Sequence, residues 1–184
     1  MISVEGVSGR MDGIVQLVRW QTQLISLTLL AATILVPVAA FTADEHDGSD
    51  RLSVDRHHLF GLIARMPELG EEVEDLAESH PYAAQGGLVL IGIGVAVLLI
   101  GLLATAVAVL TSLDKDSAKA KWLVGISLAV LVLGTLLVAI GLGWFPDIDA
   151  GDDERAFGPS WGLLVPLVAA IWIGVGRARL VDLT

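Results

Sequence analysis

The chain has 184 residues, of which 54% are hydrophobic and 17% charged, and its formal net charge at pH 7 is −10. Soluble domains normally carry about 25% charged residues, so this composition excludes an ordinary soluble protein and indicates an integral membrane protein. The chain contains no cysteine, which excludes disulfides, iron–sulfur clusters, thiolate zinc sites and cysteine nucleophiles.

Four apolar segments reach the roughly 20 residues that a helix needs to cross the hydrocarbon core of a bilayer. They cover residues 20–42, 86–113, 122–143 and 156–176. We therefore expect an all-α integral membrane protein, a single domain (1–184) of four transmembrane helices in a left-handed bundle. Residues 43–85 and 144–155 are its outer loops in this prediction.

The first span begins at Trp20, directly after Arg19, and arginine and tryptophan both mark headgroup depth. A basic flank, an apolar run and the small residues Ala39 and Ala40 at its end are also typical of a cleavable signal peptide. Because the chain includes this segment from Met1 onward, we expect a retained first span.

The first outer loop is predicted to contain two short amphipathic helices. In one, which Ser49 or Ser53 would cap, apolar positions 59, 63 and 66 have helical spacing and Pro67 ends the helix. In the other, positions 69, 73 and 76 repeat the spacing opposite a row of carboxylates. Helices lying on the bundle or membrane surface are favoured, and a partly ordered acidic loop is the alternative.

Small residues recur at every seventh position of the second and third spans. They are Gly87, Gly94, Gly101 and Ala108 in the second span, and Ala120, Ser127, Gly134 and Gly141 in the third. Folding the chain back at residues 112–118 pairs 87 with 141, 94 with 134, 101 with 127 and 108 with 120, about residue 114. Small residues let helix backbones approach in lipid, so the pattern predicts a close-packed antiparallel hairpin. A stripe arising by chance from the abundance of small residues is the alternative.

Basic residues flank the spans unequally. Short flanks on one side hold Arg10, Arg19, Lys115, Lys119, Lys121, Arg177 and Arg179, whereas the longer loops on the other side hold Arg51, Arg56, Arg65 and Arg155. The positive-inside rule then predicts a multi-pass protein of the plasma (inner) membrane with both termini cytoplasmic. In this orientation Trp144 and Trp161 fall at the outer boundary, and Trp122 and Trp172 near the inner one.

The interiors of the four predicted spans contain no Asp, Glu, Lys, Arg or His. Proton relays and ion-coupled carriers need such groups at depth, so the sequence disfavours a transport pathway through one chain, and it excludes bis-histidine haem in the membrane. A pore lined by hydroxyls such as those of Thr105 and Thr135 stays open, although such hydroxyls more often bond to their own helix.

All four histidines, His46, His57, His58 and His80, lie in the first outer loop among carboxylates such as Asp47, Asp55 and Glu78. His57, His58 and His80 are candidate zinc or copper ligands or a pH sensor, but their spacing fits no metal motif, which favours solvated side chains. The acidic run 147–154 resembles a calcium-binding loop without the glycine and glutamate that such a loop requires. A solvated acidic surface that faces a basic partner is the simpler interpretation.

These features favour a small non-catalytic accessory or scaffold subunit of a larger respiratory or transport assembly, without a cofactor. It would dock through small-residue helix faces and acidic outer loops, and its partners would be other integral membrane subunits and the lipid bilayer, not nucleic acid. A homo-oligomeric channel or transporter is the first alternative. A membrane enzyme, or a metal or pH sensor that uses the outer histidines, is the second.

Overall fold

The computed structural model describes residues 4–45, 51–76, 81–144, 148–150 and 153–183, with side chains described over 13–41, 54–71, 85–144 and 158–183. These residues are mostly helical. The helices are α1 (Val4–Leu35), α2 (Leu59–Leu76), α3 (Pro81–Ser112), α4 (Ala118–Trp144) and α5 (Leu164–Leu183), and a 3-10 turn, Trp161–Leu163, leads into α5.

Three segments within the described residues are long and apolar enough to cross a membrane, namely Gln85–Ser112, Ala118–Trp144 and Trp161–Leu183. Their length and hydropathy indicate a membrane location. Helix α1 is not one of the three, because Arg19, Gln21 and Gln23 interrupt its apolar run. The fourth span therefore remains a prediction.

Helices α3 and α4 form an antiparallel hairpin and share the largest contact between any two elements. A short turn, residues 113–117, connects them, and we call the end of the bundle that contains it the connector end. Ser117 caps α4, since its hydroxyl oxygen accepts a hydrogen bond from the Ala120 N–H at 3.2 Å.

A four-stranded antiparallel sheet occupies the opposite end, which we call the sheet end. Its strands are β1 (Pro37–Glu45), β2 (Arg51–His58), β3 (Ile148–Ala150) and β4 (Asp153–Pro159), in the order β2-β1-β4-β3. The all-α expectation did not include this sheet. The sheet corrects the boundaries of two predicted spans. Residues 37–42 belong to β1 instead of the first span, and residues 156–159 belong to β4 instead of the fourth. Pro37 lacks the N–H that would continue α1, which accounts for the first change.

Helix α2 corrects the prediction for the first outer loop. The residues expected to begin a helix at Ser53 belong to β2, and one helix continues through Pro67 instead of two meeting there. Leu59, Leu62 and Leu69 are fully or almost fully buried on one stripe of α2. Burial of each leucine is worth about 1.5–3 kcal/mol, which together outweighs the roughly 3 kcal/mol that an internal proline costs a helix.

Helix α1 runs between the two ends of the bundle. At the connector end Arg19 Nη1 lies 2.9 Å from Asp114 Oδ2 in an ion pair, and Gln23 Nε2 donates to the Val109 carbonyl at 3.2 Å. At the sheet end α1 leads into β1, whose first residue, Pro37, has its carbonyl directly against Gly162, just before α5. Helix α1 also packs against α5.

Candidate functional site

The eight small residues predicted to pack the hairpin all lie buried in the structure. The closest approaches of α3 and α4 are at glycines. A Cβ on Gly94 would lie 2.6 Å from the Val138 backbone nitrogen, and one on Gly101 would lie 2.7 Å from Leu131 Cα. A Cβ on Gly141 would lie 2.8 Å from the Ile91 nitrogen and 3.1 Å from the Gly87 carbonyl oxygen. The contact therefore has no room for even a methyl group at these positions.

We call the close contact between α3 and α4 the seam. Its register differs from the predicted one by four residues, about one helical turn. The observed facing pairs are Gly94 with Val138, Gly134 with Leu98, Gly101 with Leu131 and Gly141 with Ile91. Their centre of symmetry is residue 116 instead of 114. Each glycine thus faces a residue with a large side chain, whereas glycine opposite glycine would leave a void in a close-packed interior. Large residues entering holes lined by small ones are typical of heptad packing.

The two threonine hydroxyls that the sequence offered as pore linings are bonded to backbone within this hairpin. Thr105 Oγ1 donates across the seam to the Ser127 carbonyl at 3.2 Å, and Thr135 Oγ1 donates to the Leu131 carbonyl of its own helix at 2.8 Å. Both threonines are almost completely buried. The Thr105 hydroxyl therefore links α3 to α4, and the Thr135 hydroxyl is hydrogen-bonded within α4.

Arg177 closes the connector end from α5. Its side chain is buried, and Nη1 donates to the Ser112 and Leu113 carbonyls at 2.7 and 3.3 Å, while Nη2 donates to the Lys115 carbonyl at 2.8 Å. The last carbonyls of a helix lack partners within the helix, and the guanidinium supplies them. Sequence reasoning treated Arg177 only as a flanking charge, because nothing in its neighbours points to this carbonyl cluster.

Two ion pairs hold the connector itself. Asp114 pairs with Arg19 of α1, and Asp116 Oδ1 lies 2.7 Å from Lys121 Nζ of α4. The hydrogen bond from Lys121, together with its charge and that of Arg177, holds the pKa of the Asp116 carboxyl below its usual range. Side chains from three helices thus fix this turn.

The described histidines contact different partners. His58 caps α2, because its Nδ1 accepts the Gly61 N–H at 3.0 Å. His57 Nε2 lies 3.1 Å from Asp55 Oδ2, at ion-pair distance but without hydrogen-bond geometry, and its ring meets the Phe41 ring edge-on at 4.6 Å. The guanidinium of Arg65 lies over the Phe41 ring, 5.5 Å from its centroid.

No group of three or more His, Cys, Asp or Glu side chains forms a metal site within the part of the chain that the structure describes. His46, Asp47, Glu78 and His80 lie outside that part. The side chains of the acidic run 147–154, the predicted acidic surface, also lie outside it.

The outer face of α4 carries a small-residue pair that sequence reasoning missed. Gly125 and Ala129 are exposed one turn apart, and a Cβ on Gly125 would meet nothing within 4 Å. With Lys121, Trp122 and Ile126 they line an open groove of about 380 Å³. The sequence contains the pair as Gly-x-x-x-Ala, a motif typical of helix contacts in membranes, but its spacing of four residues is not part of the seven-residue repeat.

Comparison of the chain with models of protein families, with curated proteins and with solved structures gave no match. Function is therefore inferred from the geometry of the described residues.

Proposed function

We propose that this chain is a small non-catalytic accessory or scaffold subunit of a larger membrane protein complex, such as a respiratory or transport assembly. The observation that carries the proposal is the exposed groove at Gly125 and Ala129 on α4. Apolar helices gain little in lipid by hiding from solvent, and close contact at small residues drives their association. The groove offers a partner helix a backbone that it can approach closely.

The small residues of the α3–α4 seam do not serve this docking, because the backbone of the opposite helix already covers them. Docking is therefore assigned to the exterior of the bundle. Gly174 and Ala178 form a second exposed pair one turn apart on α5, and a Cβ on Gly174 would meet nothing within 4 Å. Two outer faces of the bundle thus suit other integral membrane subunits.

The proposal includes four transmembrane helices in a left-handed bundle. Support for α1 as the remaining span comes from its ion pair with Asp114 at the connector end and from the chain directly after it, where Pro37 lies against Gly162 at the sheet end. Residues 19–35 extend about 25 Å as a helix, close to the roughly 30 Å hydrocarbon core. The hydroxyls of Ser26 and Thr33 donate to carbonyls of α1 itself, as a membrane interior requires. Left-handed packing is supported by the seven-residue repeat.

The proposed orientation places the connector end and both termini in the cytoplasm and the sheet and α2 outside the plasma membrane. Its support is the concentration of basic residues at the connector end, which the positive-inside rule associates with the cytoplasmic face. These residues are Arg19, Lys115, Lys119, Lys121, Arg177 and Arg179. On this arrangement the acidic outer loops face a basic partner, a proposal that rests on their composition.

Gly125→Leu tests the docking face when the tagged chain is purified from its own membranes in mild detergent. Wild-type chain should co-purify with other integral membrane subunits, and Gly125→Leu should reduce their recovery about tenfold, equivalent to about 1.4 kcal/mol. Gly86→Leu is the matched control, since Gly86 also has open space around it but Tyr82 and Leu90 are its neighbours one turn away.

A lone wild-type monomer, or equal recovery of partners by Gly125→Leu and Gly86→Leu, would contradict the proposal. Rings composed of this chain alone would favour the homo-oligomeric channel or transporter instead.

A further inference from the structure

A second groove lies between α1 and α5 at the connector end and has a volume of about 240 Å³. Gly176 forms its floor, where the two helices approach so closely that a Cβ would lie 2.5 Å from Thr22 Cγ2. Gln21 and Arg179 contribute polar side chains to its walls, and Val18, Trp172 and Val175 contribute apolar ones. The groove thus combines a basic part with an apolar part.

Arg179 differs from the other arginines at this end of the bundle. Arg19 is paired with Asp114, and the guanidinium of Arg177 is occupied by three carbonyls. Arg179 is exposed, and no carboxylate among the described side chains lies within 4.0 Å of its guanidinium. It therefore presents a full positive charge and several hydrogen-bond donors to the groove.

Gln21 supplies a second donor beside Arg179. Its amide makes no hydrogen bond to the side chains and backbone described in the structure. The Thr22 hydroxyl, by contrast, is already used, since it donates to the Val18 carbonyl at 2.8 Å. The polar part of the groove is thus a guanidinium and an amide, both of which can donate to phosphate oxygens.

Trp172 gives the groove its apolar wall. It precedes Arg179 by seven residues, which is about 10 Å along α5 toward the interior of the bundle. An amphipathic indole two helical turns from an arginine, near one end of a spanning helix, is typical of the interface between headgroups and acyl chains. A ligand that fits both parts carries an anionic group at one end and hydrocarbon at the other.

We propose that this groove binds the headgroup of an anionic phospholipid, with the phosphate at Arg179 and Gln21 and the start of an acyl chain along Trp172 and Val175. The volume is below the roughly 300–1,000 Å³ of pockets that enclose small molecules, so the groove holds a headgroup while the chains stay in the bilayer. Basic pockets between transmembrane helices on the cytoplasmic side bind such headgroups. The site is separate from the docking groove on α4 and does not depend on it.

Native mass spectrometry of the detergent-purified full chain, titrated with phosphatidylglycerol and with phosphatidylcholine, tests the assignment. Wild-type chain should retain phosphatidylglycerol preferentially. Arg179→Gln should weaken its retention about tenfold or more, as loss of a charge-assisted hydrogen bond predicts. Lys119→Gln is the control, because it removes one positive charge at the same end of the bundle, outside the groove. Gln21→Leu should weaken retention by a smaller factor.

Equal weakening by Arg179→Gln and Lys119→Gln would overturn the site, since it would indicate a general effect of charge. Equal retention of the two lipids by the wild-type chain would also overturn it. Inorganic phosphate is added as a third arm. Displacement of phosphatidylglycerol by millimolar phosphate would show that the groove recognises a free anion and would overturn the lipid assignment.

Discussion

Arg177 illustrates how a single side chain can complete a helix end that the backbone leaves open. Three carbonyls at the end of α3 and in the connector converge on its buried guanidinium. A buried carbonyl without a donor costs about 1–3 kcal/mol, so this residue stabilises the turn more than an exposed ion pair would.

We expect Arg177→Ala to lower the free energy of unfolding by about 1–3 kcal/mol, because the Leu113 and Lys115 carbonyls lose the guanidinium as donor and the Ser112 carbonyl keeps only the Lys115 N–H. Arg177→Lys should recover only part of the loss, since an ammonium lacks the planar fork that reaches several carbonyls. Thermal unfolding in detergent, followed by circular dichroism, measures the change. Lys119→Ala on the exposed face of α4 is the control and should change stability by less than about 0.5 kcal/mol. Equal stability of Arg177→Ala and Lys119→Ala would show that the carbonyl cluster does not stabilise the fold.

The residue scale is also where prediction from sequence was weakest. Side chains at Arg177, Gln23 and Asp114 meet partners far away in the chain, and such contacts leave no local pattern. His57 and His58 were considered together as metal candidates because they are adjacent, yet His58 caps α2 while His57 packs against Phe41. Both rings lie beside Gly61, where a Cβ would meet His57 Nδ1 at 3.4 Å and His58 Cε1 at 3.6 Å, so what distinguishes the two histidines is their partners and not their separation.

At the scale of elements, the seam between α3 and α4 shows what a periodic pattern can and cannot predict. A seven-residue repeat identifies the face of each helix that meets its neighbour. It does not fix the offset along the axis, because a shift of one turn brings the same two faces together. The volumes of the facing residues decide the offset, and they favour Gly134 opposite Leu98 over Gly134 opposite Gly94.

Gly134→Ala should destabilise the hairpin by about 1–3 kcal/mol, because the added methyl would push into the backbone of Leu98. Gly125→Ala makes the same chemical change on the same helix in open space, and it should stabilise the helix by up to about 1 kcal/mol through propensity alone. Chemical or thermal unfolding of the two purified variants compares them directly. If Gly134→Ala were as stable as Gly125→Ala, the seam would not be close-packed. The larger substitutions Gly101→Leu and Gly134→Leu should prevent α3 and α4 from packing into the hairpin altogether.

The sheet is the element that sequence reasoning missed. Residues 37–42 continue the apolar run of α1, so composition alone extends the helix across Pro37. Strand β1 is stabilised by pairing with β4, in which Phe41 lies opposite Phe157 and Thr42 opposite Ala156. More than a hundred residues separate these partners, and no local periodicity can report such pairing.

At the scale of the whole molecule, the helices connect two ends with different chemistry. The connector end has two ion pairs, Arg19 with Asp114 and Lys121 with Asp116, and a guanidinium bound to backbone carbonyls, whereas the sheet end has paired strands next to α2. Apolar length predicted membrane-spanning helices, and three helices among the described residues are long and apolar enough to cross a membrane. Helix α1 is not among them because of its polar residues, although it pairs with Asp114 at the connector end and leads into Pro37, which lies against Gly162 at the sheet end.

The proposed orientation requires the chain to cross the membrane four times, with its two polar ends on opposite sides. Because the chain contains no cysteine, single substitutions give clean reporters for a membrane-impermeant maleimide applied to intact cells. Gly13→Cys, before Arg19 in α1, and Lys119→Cys report the connector end, and Val54→Cys on β2 reports the sheet end; all three positions are exposed.

We predict that Val54→Cys reacts in intact cells, whereas Gly13→Cys and Lys119→Cys react only after the membrane is permeabilised. Reaction of Gly13→Cys together with Val54→Cys in intact cells would show that α1 does not cross the membrane, and would contradict the account.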